Sequence, residues 1–496
     1  MSERRDFLRG VALTGGLWVL GATMGLPVVA SAQNAPAWPP HPFLQGNFAP
    51  VQEEITVDNL PVRGTLPPDM DGMFVRNGPN PQFPPLGPYH WFVGDGMVHG
   101  VRVHDGQASY RNRYVRTARW QEEHAAGQAL YSSFQAPADK RNKANTALLW
   151  HRRRLLALYE GGPPHLLTAP ELDTVGLYTF GDILTHPFTA HPKVDPATGD
   201  LLCFGYSWRA QPYLHYSIMN AQGALVSTTP LALPRPILMH DFAVTPHYTI
   251  FMDLPMVFLA GDRPRLTFAP ALGARFGLLP RHGTGAEIRW FETAPCWVFH
   301  TLNAYEDGDE VVVLACRYAQ YPALFDFQPR MSPHPPDAKA SNTTDAVLYQ
   351  WRFHRHTGRV QEGPLDDTPI EFPRINDALT GHRSRFGYGG RAVGARFDGL
   401  LKYDFSQGTH IAHLHGPRRW GGEGVFVPHP DAKGEDDGWL VTYVHDEATG
   451  TSEMVVVETR DFDAPPVARV MLPVRVPYGF HGLWIAGTAW AKSEAQ

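Results

Sequence analysis

From residue 48 onward, short runs rich in Val, Ile, Leu, Phe and Tyr alternate with clusters of Gly, Pro and Asp, and few stretches keep apolar positions at helical spacing. The run at 98–103 gives way at Asp105-Gly106 and returns through 108–115. The same device recurs at Asp195-Pro196-Ala197-Thr198-Gly199 before 201–206, at Glu306-Asp307-Gly308 before 311–314, at His356-Thr357-Gly358, and at Glu447-Ala448-Thr449-Gly450 before 454–457. Aspartate and glycine supply the tight, often positive-φ geometry that hairpins need, so these segments read as antiparallel strands. One helical insert is expected near 119–134, and the Pro- and Ser-rich stretch 331–344 reads as a surface loop. No Ser/Gly linker or block of charge divides the chain. An all-β chain of this length is too large for one sandwich, and radial repetition of four-stranded sheets hides most strand edges. Seven blades of about 60–65 residues would account for it, although no repeated signature counts them.

The first 32 residues follow a different pattern. Paired Arg4 and Arg5 precede Phe7 and Leu8, an apolar run over 11–29 and the small triplet Ala30-Ser31-Ala32, the layout of a twin-arginine export signal with an A-x-A cleavage site. The expected organisation is a signal peptide at 1–32 followed by one β-propeller domain at 33–496, exported to the periplasm. Left uncleaved, the same segment would act as a membrane anchor. Cleavage removes Arg4, Arg5 and Arg9 with Glu3 and Asp6, leaving 40 basic against 47 acidic residues, a formal charge of −7. That mild acidity argues against a nucleic-acid partner. Cys203, Cys296 and Cys316 are too sparse for a disulfide framework and lack the paired spacing of a cysteine metal site.

Histidine carries the candidate chemistry. His191 in FTAHPKVD, His240 in LMHDF, His300 in CWVFHTLNAYEDGDE and His481 in VPYGFHGLW each stand beside a strand-like run and a turn residue. The two apolar runs of 238–255 flank a turn at Pro246, with His240 where the first run closes. So widely separated, the four meet only in a closed, ring-like fold such as a propeller. Neutral imidazoles suit a borderline first-row metal and leave it its full charge. Spacing alone does not select them. His99, His247, His413 and His415 fit the same pattern, and any single histidine also satisfies a buried hydrogen bond.

The blocks GMFVRNGPNPQF (72–83), WFVGDGMVHG (91–100), TAHPKVDPATGDL, MHDFAVTPHYTIFMD, FHTLNAYEDGDEVVV, EFPRIN, GEGVFVPHPDAKGEDDGWLV and VPYGFHGLW run in order across essentially the whole mature chain. Together they resemble the successive blocks of the carotenoid cleavage oxygenase family. The resemblance implies an all-β, seven-bladed propeller with loops and a helix capping an axial Fe(2+), one ion per chain, held by His191, His240, His300 and His481. It further implies that Glu160 (LLALYEGG), Glu371 (EFPRIN) and Glu423 (GEGVFV) accept hydrogen bonds from the outer ring nitrogens of three of those histidines. Such carboxylates fix the tautomer, aim the ring and offset part of the metal charge. The flanking sequence sets Glu371 and Glu423 against apolar strands, where an unpaired carboxylate would be costly. Thr146 matches a threonine near an open iron position, in a stretch reading ANTA where the family has ANTN, so Ala147 alters the local hydrogen bonding. Gly424 replaces a common proline in the GEP block, a loop change.

By the same resemblance, the reaction is cleavage of a C=C bond by O2 into two carbonyl fragments, without an organic cofactor. No Ser/His/Asp triad or P-loop is evident, and GYGGRAVG at 387–394 lacks the spacing of a dinucleotide site. The stilbene-cleaving branch holds a phenolic hydroxyl with a lysine and a tyrosine. Their counterparts here are Tyr159 and Phe134, while Phe92 matches an aromatic of both branches. Losing the ammonium and the phenol favours a long polyene, a carotenoid or apocarotenoid, over a stilbene or phenylpropanoid alkene. The apolar stretches 254–259 and 268–280 are expected to form a loop region at the tunnel mouth with a membrane-dipping patch, or alternatively ordinary core. The expected partners are a small apolar alkene and O2, with peripheral membrane contact and neither nucleic acid nor an obligate protein partner. Two other uses of the scaffold stay open: ester cleavage coupled to isomerisation, and a non-catalytic periplasmic propeller, which would need none of these histidines and glutamates.

Overall fold

The structure, a computed structural model, describes residues 37–132, 136–259, 265–322 and 345–491. The signal segment, Phe134 and the loop 331–344 lie outside the described residues. From Trp38 onward the chain forms one compact unit.

Strands follow the alternation of side chains. In Gln107–Tyr114, Ala108, Tyr110, Asn112 and Tyr114 point inward while Ser109, Arg111 and Arg113 are partly exposed. The preceding turn has Asp105 at φ 48° and Gly106 at φ 70°, the consecutive positive φ values of a tight hairpin. Repetition of such hairpins builds a seven-bladed β-propeller, the expected fold class.

In chain order, the innermost strands are Ala147–His151 in blade 2, Lys193–Val194 in blade 3, Ala243–Val244 in blade 4 and Trp297–Asp307 in blade 5. The long strand Val360–Arg374 is the outer strand of blade 5 through its first half and the inner strand of blade 6 through its second. Val425–Pro428 is innermost in blade 7. Blade 1 is completed from the other end of the chain: Gly482–Ala486 pairs antiparallel with the strand Gly72–Pro79, from Gly72↔Ala486 to Arg76↔Gly482. In exchange, Val62–Gly64 adds to the edge of blade 7.

The apolar cores lie between blades. Phe74, Val101 and Tyr110 of blade 1 pack with Val441, Tyr443 and Val456 of blade 7, sealing the ring, with the Phe74 and Tyr443 rings 4.7 Å apart.

Connections on the face where inner strands begin form the cap. They include the 3-10 turns Pro42–Leu44, Gly46–Phe48 and Trp91–Val93 and the helix Ala118–Ala126. The helix is shorter than the expected 119–134. Thr117 caps its start by accepting from the Trp120 backbone N–H at 3.2 Å, and Gly127 ends it in the left-handed region at φ 66°. Of the two readings of the apolar stretches 254–259 and 268–280, ordinary core holds for Leu254, Met256 and Val257 and for much of the second stretch. Met256–Leu259 and Arg265–Phe268 form a hairpin, whereas Ala274–Pro280 is a strand of blade 4 paired with Tyr248–Asp253, with Phe276, Leu278 and Leu279 buried. Apolar character with β-propensity there reflects core, although Leu259 and Leu272 remain exposed.

Ile485 is buried against Met73 and Val75 in the closing strand, so Ile485→Ala is expected to destabilise the fold by about 2–5 kcal/mol in denaturant unfolding. Burial holds His90, His165 and His415 down to about 3, about 4 and about 3. Their stabilising contribution is complete above the ordinary value of 6.5 and is lost as pH falls from there, because the unfolded chain takes up the protons first, at up to ~1.4 kcal/mol per pH unit for each. Denaturation midpoints measured between pH 4 and pH 8, on the order of this window, should therefore fall on the acid side.

Candidate metal centre

The propeller places its candidate ligands where inner strands begin. His191 precedes Lys193–Val194, His240 precedes Ala243–Val244 and His481 immediately precedes Gly482–Ala486. His240 thus stands before its strand, not at the close of one as its sequence context implies, since 238–242 is irregular. His300 lies within Trp297–Asp307, where the ladder breaks register between Val298 and Thr301. Such a break re-aims a side chain out of the regular alternation.

One ring nitrogen from each of the four histidines falls within 4.8 Å of all the others. His191 Nε2 and His240 Nε2 face each other at 3.0 Å. His300 Nε2 is buried without a protein partner. First-row metal–imidazole bonds of about 2.1 Å set neighbouring donors about 3 Å apart, so this arrangement fits one ion. The donor set is four borderline nitrogens with no thiolate, which suits a divalent first-row metal.

Carboxylates orient three of the rings. His240 Nδ1 donates to Glu160 Oε2 at 2.8 Å, His300 Nδ1 to Glu371 Oε2 at 2.5 Å and His481 Nδ1 to Glu423 Oε1 at 3.0 Å. Each bond leaves the opposite ring nitrogen as the lone-pair donor facing the centre. The carboxylates are held in turn: Tyr206 donates its hydroxyl to Glu160 Oε1 at 2.9 Å, and the Gly482 N–H donates to Glu423 Oε2 at 2.7 Å. The Phe372 N–H donates to Glu371 Oε2 at 2.6 Å. Phe372 itself sits at φ 53°, a strained conformation for a non-glycine residue. It places its ring 5.5 Å from that of His300 and 5.1 Å from that of His481. Among the described residues no carboxylate contacts His191, whose backbone N–H donates to Thr189 at 3.0 Å.

Burial and the neighbouring imidazoles hold His191 far below its ordinary value, a ready neutral ligand. Burial also lowers His481, against the pull of Glu423. At His300 burial acts downward but the Glu371 carboxylate outweighs it and raises the ring. Although burial raises Glu423, His481 and Arg374 keep it below the usual carboxylate range.

The remaining expected residues lie around this centre. The Thr146 carbonyl accepts from the His481 N–H at 3.2 Å, and its hydroxyl donates to Asn145 at 3.1 Å. Ala147 begins the inner strand of blade 2 and lines a cavity shared with His191, His300 and His481. Tyr159 is partly buried beside Glu160, and burial with that carboxylate pushes its hydroxyl up to about 12. Phe92 joins an aromatic group in which its ring is 5.5 Å from that of Phe480. Phe134 falls outside the described residues. Tyr206, Phe372 and Arg374 were missed. The last two stand within EFPRIN, whereas no spacing marks Tyr206 as the partner of Glu160.

Residues 48–486 match the family described as retinal pigment epithelial membrane protein. The chain belongs to this family, that of the carotenoid cleavage oxygenases. It is 40% identical over 490 residues to carotenoid 9,10(9',10')-cleavage dioxygenase 1 of Arabidopsis thaliana, with 89% of each chain covered. The crystal structure of Pseudomonas brassicacearum lignostilbene dioxygenase superposes with a TM-score of 0.84 at 30% identity, over 91% of this chain and 100% of that one. Cobalt-substituted Synechocystis apocarotenoid oxygenase superposes at 0.78 with 29% identity, over 88% and 97% of the respective chains. These likenesses place the activity among the oxygenases of this family.

His300→Ala is expected to abolish stoichiometric metal binding, and Glu423→Gln to weaken it by about 10–100-fold in an equilibrium titration. Because the raised His300 proton competes with a metal, affinity should fall as pH drops, beginning above the ordinary value of 6.5, with protons released on binding that calorimetry in two buffers would count.

Proposed function

We propose that this protein is a ferrous dioxygenase that cleaves a C=C bond of a carotenoid or apocarotenoid into two carbonyl products, with His191, His240, His300 and His481 as the ligands of one Fe(2+). The observation that carries the reading is the convergence of four imidazoles, three of them carboxylate-oriented, on one point beside an aromatic wall. When bound there, ferrous iron supplies the open coordination and one-electron chemistry that let O2 add across an alkene. Both oxygen atoms then reside in the two carbonyls, so no further oxidant or reductant is consumed.

The chain's own part is placement. Glu160, Glu371 and Glu423 hold the rings in one tautomer. Phe299, 5.5 Å from His240, and Phe372 present apolar faces that exclude water from a polyene. Thr146 is fixed to the His481 strand through its carbonyl.

Tyr159 favours the polyene. A neutral, partly buried phenol stands where the stilbene-cleaving branch has a lysine, so the cationic hold on a phenolic substrate is missing. The likeness to lignostilbene dioxygenase keeps a hydroxystilbene as the second reading. The paired Arg4 and Arg5 and the Ala30-Ser31-Ala32 triplet support export to the periplasm with removal of residues 1–32. Exposed Leu259 and Leu272 support peripheral contact with the bilayer that dissolves the substrate. Among the described residues, no helix is long and apolar enough to cross a membrane.

Purified iron-loaded protein is expected to take up O2 and give aldehydes from an apocarotenal or carotenoid in detergent, and little from a hydroxystilbene. Aldehydes from the stilbene alone would reverse the substrate assignment. Tyr159→Lys should shift the ratio of kcat/KM toward the hydroxystilbene by about tenfold, the worth of about 1.4 kcal/mol of differential binding.

A further inference from the structure

The inner strands run away from the histidines toward the opposite face, and between them lies a cavity of about 490 Å³. Its inner end touches His191, His300, His481 and Ala147. At its other end it reaches solvent among Pro196, Asp377 and Ala378, all of them exposed. The lining sets charged groups among apolar side chains such as Leu148, Trp150, Leu302 and Leu483. Asp241, Asp377 and Glu423 stand against Lys193 and Arg374, with Lys193 Nζ 2.8 Å from Asp241 and Arg374 Nη2 3.2 Å from Asp377. Glu423 accepts from His481 and Gly482 and lies 3.8 Å from Arg374, which it shares with Asp377, so three carboxylates face two cations and the wall is net negative. The Arg374 Nε is buried with no protein partner.

The other approach is different in kind. It is covered by Phe299 and Phe372 and, beyond them, by Phe43, Trp91, Tyr478 and Phe480. A hydrated dication crossing that layer would exchange water for aromatic carbon, whereas along the cavity it keeps water and carboxylate oxygens.

We infer that the axial channel, and not the aromatic face, is the path by which the metal ion reaches and leaves the four histidines. Ala147 favours it, since no more than a methyl group stands at that point of the inner end. A consequence is that metal exchange and occupancy of the substrate face are independent: an apolar ligand lying on Phe299 and Phe372 does not lock the metal in.

The inference rests on reading the histidines as ligands, and cobalt(II) separates the two. Metal-free protein is reloaded with Co(2+) and followed by its visible absorption. If His300→Ala binds one Co(2+) with an unchanged spectrum, the ligand assignment falls and the path falls with it. If the spectrum depends on His300, rates decide. Ala378→Trp combined with Thr380→Trp, at the channel mouth, should slow both Co(2+) uptake and its release to a strong chelator by about tenfold. The bound spectrum and melting temperature should match wild type. Ala378→Lys should slow uptake at low salt, with the effect fading as salt is added. Release from the wild type should be unchanged by saturating apocarotenal under anaerobic conditions. Wild-type exchange rates in the double tryptophan variant would overturn the inference, as would slowing by the apocarotenal.

Discussion

Closure of the ring is the constraint on which the rest depends. The pairing of Gly482–Ala486 with Gly72–Arg76 joins the two ends of the chain, and His481 is the residue immediately before that strand. Without the pairing, three candidate ligands from blades 3, 4 and 5 lack the fourth, and the core between blades 7 and 1 around Phe74 and Tyr443 is open to water. Contacts of such sequence separation come late and carry a large loop-closure cost. A metal held by one residue from each of four blades cross-links the closed state alone and so adds its binding free energy to it.

The second demand is electrostatic. Glu371 and Glu423 are buried, and an unpaired carboxylate in such a place is costly. Each is engaged by an imidazole N–H and a backbone N–H, and a cation bound on the far side of the rings would offset the remaining charge. Regular β geometry does not deliver this arrangement. It is obtained by departures from it: the register break beside His300, the break between Glu371 and Arg374, and the positive φ of Phe372. Each sits at the centre, where strain tends to collect.

Hairpin chemistry was legible from local residues because it is local: Asp105-Gly106 turns where its composition says it must. The choice of histidines was not local. His99 hydrogen-bonds Tyr110 at 2.7 Å, His247 meets Glu306 at 3.0 Å and His413 meets the Phe462 carbonyl at 3.1 Å. Their surroundings in sequence resemble those of the four, and only the closed ring, or the family blocks, tells them apart. The stretch 268–280 was ambiguous for a related reason, since apolar residues suit a buried strand as well as an exposed rim. Tyr206 left no trace, because its role is set by a contact with Glu160 across two blades.

The motifs themselves can be read as cross-sections of the propeller. Along each inner strand, successive residues descend from the cap, past the metal centre, into the axial channel. In GFHGL, Phe480 packs in the aromatic cap, His481 faces the centre and Leu483 lines the channel. In EFPR, Glu371 and Phe372 serve the centre and its apolar wall, while Arg374 lines the channel. In AHPK, His191 faces the other histidines and Lys193 lies below, paired with Asp241. The separation of cap-side from channel-side residues follows strand direction, and the channel-side member is charged in AHPK and EFPR but apolar in GFHGL. At His300 the preceding Phe299 stands in the apolar wall and Leu302, two residues on, lines the channel, whereas at His191 both Ala190 and Lys193 line the channel.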